Sequence, residues 1–332
     1  MMKAITISDI QNAKNRIDQY INQTPVLYSH KLNEWLGHEI FFKAECFQKV
    51  GAFKARGACN TVAWLIENNM KPDLVVSNSS GNHAQAVAWA SNLFGILSSI
   101  YMPKNVSKVK AQATASYGAN TIFCNDRITV DEQTELAAKD KGTYWIPPFN
   151  HPQVIAGQGT AVLESLNKLE DIDAIFAPCG GGGLLSGSLI VARAMSPKSE
   201  VIGAEPKNAN DAAESLRKNS IQTLNSTPDT IADGARTLSV GELTFEYLKQ
   251  LDDFFEIEEE DIIYWTQWLS HLLKVRVEPT SAMPMVAVRK WLSKQKSKKR
   301  ILVVISGGNI DITTMNKIWS KDFLNNIPSL AS

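Results

Sequence analysis

Short apolar runs rich in β-branched residues recur along the chain, each ending in small polar residues and followed by a helix-like pattern. Leu74-Val75-Val76 leads into SNSSGNHAQAVAWAS, and Ala174-Ile175-Phe176-Ala177 into PCGGGGLLSGSLIVARA. Val201-Ile202-Gly203-Ala204 leads into EPKNANDAAESL, and Ile301 to Ile305 into SGGNIDIT. Strands alternating with helices predict an α/β fold of open parallel sheets with helices on both faces. Ligands in such sheets lie beyond the carboxyl ends of the strands, where all four polar segments fall. Units around Val76, Ile100-Tyr101 and Thr121-Ile122-Phe123 predict a small, mobile lobe at 74–148. The large lobe then combines 1–73 with 149–322, leaving 323–332 as a tail. The opening stretch MMKAITISDIQNAKNRIDQYINQTP predicts an amphipathic helix closed by Thr24-Pro25.

Composition narrows the function classes. With 332 residues, 44% of them hydrophobic, the chain can bury a large core or two smaller ones. Its formal net charge is zero, so nothing in the overall charge favours nucleic acid or an anionic membrane. The one basic run, Lys290 to Arg300, reads as the solvated tail of a helix before a strand. No apolar run approaches membrane-spanning length and no signal-peptide pattern opens the chain, which predicts a cytoplasmic protein. Cys46, Cys59, Cys124 and Cys179 lack CxxC spacing, so reduced and mostly buried thiols are expected.

Four segments carry candidate chemistry. In KAECFQKVGAFKARGA, Lys54 follows an aromatic residue between Gly51 and Gly57, with Arg56 two positions on. A desolvated or cation-flanked lysine becomes a nucleophile toward carbonyls. CGGGG, Cys179 to Gly183, sits between a buried strand and a helix, where converging amides and the helix dipole suit a phosphate. It is no Walker A motif, because Ser188 stands where lysine is required, and it lacks the GxGxxG spacing. SSGNHAQ, Ser79 to Gln85, offers hydroxyls, an amide, an imidazole and a helix start to a carboxylate and a phenolic oxygen. SGGN, Ser306 to Asn309, is by itself a turn after a buried strand.

Together and in this order, these motifs resemble the pyridoxal-phosphate enzymes of the tryptophan synthase β class (fold type II), and within it the serine/threonine dehydratase and serine racemase family. VIAGQGT (154–160) and TIADGAR (230–236) extend the resemblance over nearly the whole chain. It implies that Lys54 holds pyridoxal 5'-phosphate covalently, with Phe53 near the ring and Asn82 on the phenolic oxygen. Gly180, Gly181, Gly182 and Gly183 would grip the phosphate, and Ser306 would face the pyridine nitrogen. Ser79, Gly81, Asn82 and His83 would receive the substrate carboxylate, with Pro147 and Phe149 of PPFN lining the side-chain pocket. Glu205, the Ala209 carbonyl and Asp211 match a magnesium or calcium site of racemase-like members, with Asn210 in place of a second acid. A homodimer is also implied.

The implied activity is β-elimination of L-threonine or L-serine to a 2-oxo acid and ammonia. Serine racemase and 3-hydroxyaspartate dehydratase are the alternatives, because Ser80 stands where dedicated threonine dehydratases carry alanine and could act on the ring face opposite Lys54. A cofactor-binding protein without turnover is the non-enzyme alternative. Ser281 in EPTSA replaces a glycine usual in the family, which predicts a different loop shape beside Glu278. A carboxy-terminal regulatory domain is not expected.

Overall fold

A computed structural model describes residues 4–330. Ten strands form two sheets: β1 (Val26–Tyr28), β2 (Glu39–Ala44), β3 (Leu74–Asn78), β4 (Leu97–Pro103), β5 (Asn120–Cys124), β6 (Thr143–Trp145), β7 (Ala174–Pro178), β8 (Glu200–Pro206), β9 (Asp253–Ile257) and β10 (Arg300–Ile305). The six-stranded sheet has the order β1-β2-β10-β7-β8-β9 and the four-stranded sheet β5-β4-β3-β6. All pairings are parallel except β1 with β2. The α/β class with parallel sheets and flanking helices is therefore observed.

Strands β7 and β10 are apolar on both faces because helices cover both faces. Ile301, Val303 and Ile305 enter one core with Phe176, Trp265 and Val286, whereas Leu302 and Val304 enter the opposite core with Ile10, Ile155 and Leu185. This is the two-residue alternation of a strand applied to two buried sides. A third core lies against the four-stranded sheet, and it recruits residues from outside 74–148. Ala55, Ala58, Cys59 and Val62 of the helix Lys54–Glu67, with Val154, join Val75, Val87, Ala88 and Ile100 there.

Glycines of VIAGQGT let three helices cross closely. A Cβ on Gly157 would stand 2.5 Å from the Arg56 carbonyl, and one on Gly187 2.6 Å from Gly159 N, so the helix Pro152–Leu166 lies directly on its neighbours.

The amino-terminal helix is shorter than its pattern predicts. It spans Ile7–Ile17 and does not run on to Thr24-Pro25. The chain turns at Tyr20, whose N–H bonds the Ile17 carbonyl, and Asn22 then exchanges two hydrogen bonds with the Gln48 side chain. The cysteines are free, with Cys59, Cys124 and Cys179 buried, and Arg300, the last residue of the basic run, begins β10. Among the described residues no helix is long and apolar enough to cross a membrane.

Candidate active site

The segments after β2, β3, β7 and β10 meet at the carboxyl ends of their strands. The Lys54 loop and SGGN are stitched by backbone: Phe53 N–H donates to the Ser306 carbonyl at 2.9 Å, and Gly308 N–H to the Gly51 carbonyl at 3.0 Å. Lys54 opens the helix Lys54–Glu67, and its Nζ donates to the Pro148 carbonyl at 2.6 Å. Phe53 lies beneath that amine, 5.0 Å from ring centre to Nζ. Desolvation pulls the Lys54 amine down to about 7, against an upward pull from Glu278.

Arg56 does not do what its spacing suggests. Its guanidinium points into a buried cluster, bonding Glu45 at 2.6 and 2.8 Å and Glu164 at 2.7 and 2.9 Å. Lys43 joins through Glu164 at 2.6 Å, and Thr24 through Glu45 at 2.5 Å. Two carboxylates thus match two cations, and Arg56 has no part in lowering Lys54. Nothing in the local sequence could show this, because Glu164 lies 108 residues away.

The tetraglycine forms a cradle without side chains. A Cβ on Gly181 would fall 2.1 Å from the Phe149 ring, one on Gly183 2.5 Å from Gln158 Oε1, and one on Gly180 3.0 Å from the Gly234 carbonyl. Gly182 has φ +91°, a left-handed conformation, and caps the helix Gly183–Met195. Among the described residues no carbonyl or side chain takes up the amides of Gly180, Gly181 or Gly182. Phe149 of PPFN therefore packs on the cradle, while Pro147 beside it is half-buried.

Asn82 begins the helix Asn82–Leu93, capped by Gly81. Its Nδ2 donates to both Glu278 oxygens at 3.2 and 3.1 Å, and its Oδ1 accepts from Asn309 Nδ2 at 2.8 Å. Burial, and then the charge of Asp233, push the Glu278 carboxyl up, against the hydrogen bonds it accepts from Asn82 and Asn309. Sequence reasoning noted Glu278 only as a neighbour of Ser281; its burial and its contact with Asn82, 196 residues away, come from folding.

His83 is buried and its ring is pushed down to about 3, chiefly by desolvation and then by Lys54. A neutral ring that donates from Nε2 to the Ile146 carbonyl, 2.9 Å away, leaves Nδ1 as a lone pair without a partner. Only the backbone N–H of His83 then suits a carboxylate. Ser79 Oγ accepts from Gly81 N–H at 3.3 Å, and Ser80 is half-buried beside it. Ser306 Oγ is buried, 2.9 Å from Ser281 Oγ. Ser281 lies in the short helix Pro279–Ala282, which Glu278 caps.

At the end of β8 and just after it, Glu205 and Asp211 form a second acidic pair. Glu205 accepts from Ala212 and Ala213 N–H at 3.2 and 2.7 Å, while both Asp211 carboxylate oxygens are buried without a partner. Burial raises both carboxyls, Asp211 to about 7. Ala209, between them in sequence, is buried, and Asn210 bonds Glu256 at 2.8 Å. Among the described residues no group of three or more His, Cys, Asp or Glu is arranged to hold a metal ion.

A lysine amine pulled down to about 7 by burial, a cradle of unpaired amides that no side chain could share, and a buried hydroxyl together fit a phosphorylated carbonyl cofactor. The fold and site define an enzyme class that anchors such a cofactor through lysine. Residues 17–307 match the family described as pyridoxal-phosphate dependent enzyme, and the chain belongs to it. It is 43% identical to the L-threo-3-hydroxyaspartate ammonia-lyase of Saccharomyces cerevisiae over 92% of this chain and 94% of that one. It is likewise 43% identical to the serine racemase of Schizosaccharomyces pombe, over 92% and 95%. The T.th. threonine deaminase superposes with TM-score 0.87 at 37% identity, covering 92% of this chain and 99% of that one.

Proposed function

We propose that the protein eliminates ammonia from small L-3-hydroxy amino acids, with L-serine and L-threonine as substrates. The carrying observation is a buried Lys54 amine pulled down to about 7 in one site with the buried Ser306 hydroxyl, to which this reading gives the ring nitrogen. Pyridoxal phosphate, when bound, supplies the electron sink that acidifies the substrate α-C–H. Lys54 takes that proton, and its pKa near neutrality suits a general base. Free amides at the start of the helix Asn82–Leu93 hold the substrate carboxylate, and Gly180 to Gly183 hold the cofactor phosphate. Asn82, steadied by Glu278 and Asn309, presents its amide to the phenolic oxygen. A hydroxyl at Ser306, unlike a carboxylate, does not favour a protonated ring, and a weaker sink favours early loss of the β-hydroxyl. Net loss of water followed by hydrolysis releases the 2-oxo acid and ammonia.

A panel of L-serine, D-serine, L-threonine and 3-hydroxyaspartate, scored for oxo acid, ammonia and enantiomer, tests the reading. Oxo acid from L-serine or L-threonine is expected, together with loss of turnover and of the borohydride-trapped adduct in Lys54→Ala. Absence of oxo acid from both refutes it. Racemisation is the second reading, supported by the Ser80 hydroxyl, which no other group engages among the described residues. Ser80→Ala should then abolish D-serine formation and spare L-serine elimination.

A divalent cation belongs to the same proposal. The two Asp211 oxygens, buried without a partner, would with Glu205 and the Ala209 carbonyl supply hard oxygen donors suited to magnesium or calcium. Added magnesium should raise the melting temperature by several degrees through mass action, and Glu205→Ala should remove that response.

A further inference from the structure

The Ser281 hydroxyl is fully buried and lies between two groups of SGGN. It accepts from Gly307 N–H at 2.8 Å and stands 2.9 Å from both the Gly307 carbonyl and Ser306 Oγ. Ser281 has a single hydrogen for these two acceptors. The Gly307 carbonyl already accepts from Glu278 N–H at 3.2 Å, whereas Ser306 Oγ has no other donor among the described residues. With the Gly307 carbonyl already served by Glu278 N–H, the Ser281 hydrogen is available to Ser306 Oγ, and the proposal takes it there. Ser306 then keeps its own hydrogen to point away from Ser281, into the site.

We propose that Ser281 is a positioning residue that keeps Ser306 a hydrogen-bond donor and so holds the cofactor's ring nitrogen unprotonated. The inference rests on the cofactor reading above. A hydroxyl that accepts one hydrogen bond donates the next more strongly, so the pair acts as a short relay. The Ser306 backbone is fixed independently, through its carbonyl bond from Phe53 N–H. Removing the Ser281 hydroxyl leaves the Gly307 N–H without its acceptor and frees the Ser306 rotor, which can turn a lone pair toward the ring and accept from a protonated nitrogen.

The test uses holoenzyme reconstituted with pyridoxal phosphate carrying 15N at the ring nitrogen, followed by NMR from pH 5 to 9. Wild type should show an unprotonated, hydrogen-bonded nitrogen at neutral pH. Ser281→Ala should raise the pH at which that nitrogen protonates by about 0.5 to 1 unit, the size of one neutral hydrogen bond. Ser281→Thr, which keeps the hydroxyl, should restore the wild-type titration. In a Ser306→Ala background, Ser281→Ala should add no shift, whereas a merely structural contribution would move both backgrounds alike. Should the alanine variant not fold, Ser281→Cys, a weaker donor of similar size, gives the same comparison. An unchanged titration in folded Ser281→Ala or Ser281→Cys overturns the proposal alone. A wild-type protein that takes up no cofactor overturns the cofactor reading and the proposal together.

Discussion

At Lys54 the reactive form of the side chain comes from desolvation, with no cation assisting, and this has a consequence for the cofactor-free protein. Its amine protonates near 7 when folded and at 10.5 when free. Below about pH 7 the folded protein must hold a charge in a poorly solvated place, so the full penalty is present there. The penalty fades as pH rises from about 7 to 10.5, because the unfolded chain binds the extra proton in that window. Cofactor-free Lys54→Met should therefore melt several degrees above cofactor-free wild type at pH 6, with the gap shrinking by pH 9; an equal gap at both pH values contradicts it. Gly181 gives a second expectation. A methyl there would meet the Phe149 ring at 2.1 Å. Gly181→Ala should destabilise the protein by about 1–3 kcal/mol through overpacking and weaken cofactor uptake, measured by urea unfolding and by titrating the cofactor. Lys54 and the glycines were legible in the sequence because their chemistry is local. Arg56 was not, since what a charge does depends on which distant carboxylates reach it.

At the scale of elements, the charged cluster joins three pieces: β2 and the turn after it through Lys43 and Glu45, the helix Lys54–Glu67 through Arg56, and the helix Pro152–Leu166 through Glu164. Every charge in it is matched, and its Arg56 lies two residues from the reactive lysine. Removing one partner of a buried pair leaves an uncompensated charge, so Arg56→Met should lower stability by about 3–5 kcal/mol in urea unfolding. A change under about 1 kcal/mol would show that the cluster relaxes by admitting water. Strands β7, β8 and β10 were readable as apolar runs because both of their faces are buried. EIFFKA and DFFEI were missed as strands, since charged residues occupy their ends and both lie toward the margins of the sheet. Likewise, the apolar periodicity before Thr24 overstated the first helix, because periodicity cannot register the Asn22–Gln48 exchange that ends it.

Across the whole molecule, the two sheets are joined by more than the chain that links them. Lys110, on the helix Lys108–Ser116 beside the four-stranded sheet, pairs with Asp233 and lies 4.0 Å from Asp311, both outside residues 74–148. The order of strands within each sheet was not readable, because neighbours such as β2 and β10 are separated by most of the chain. The helix Lys54–Glu67 has two allegiances: Ala58, Cys59 and Val62 pack with the four-stranded sheet's core, while Arg56 and Asn60 bond residues of the helix Pro152–Leu166. For protein engineering, this makes residues 74–148 a poor cassette. A chimera that takes only those residues from a relative should melt well below either parent, because the recipient's inner helix face meets a foreign surface. Carrying the donor's residues at 55, 58, 59 and 62 along with the cassette should recover most of the loss, so the graft that works is discontinuous in sequence and continuous in space.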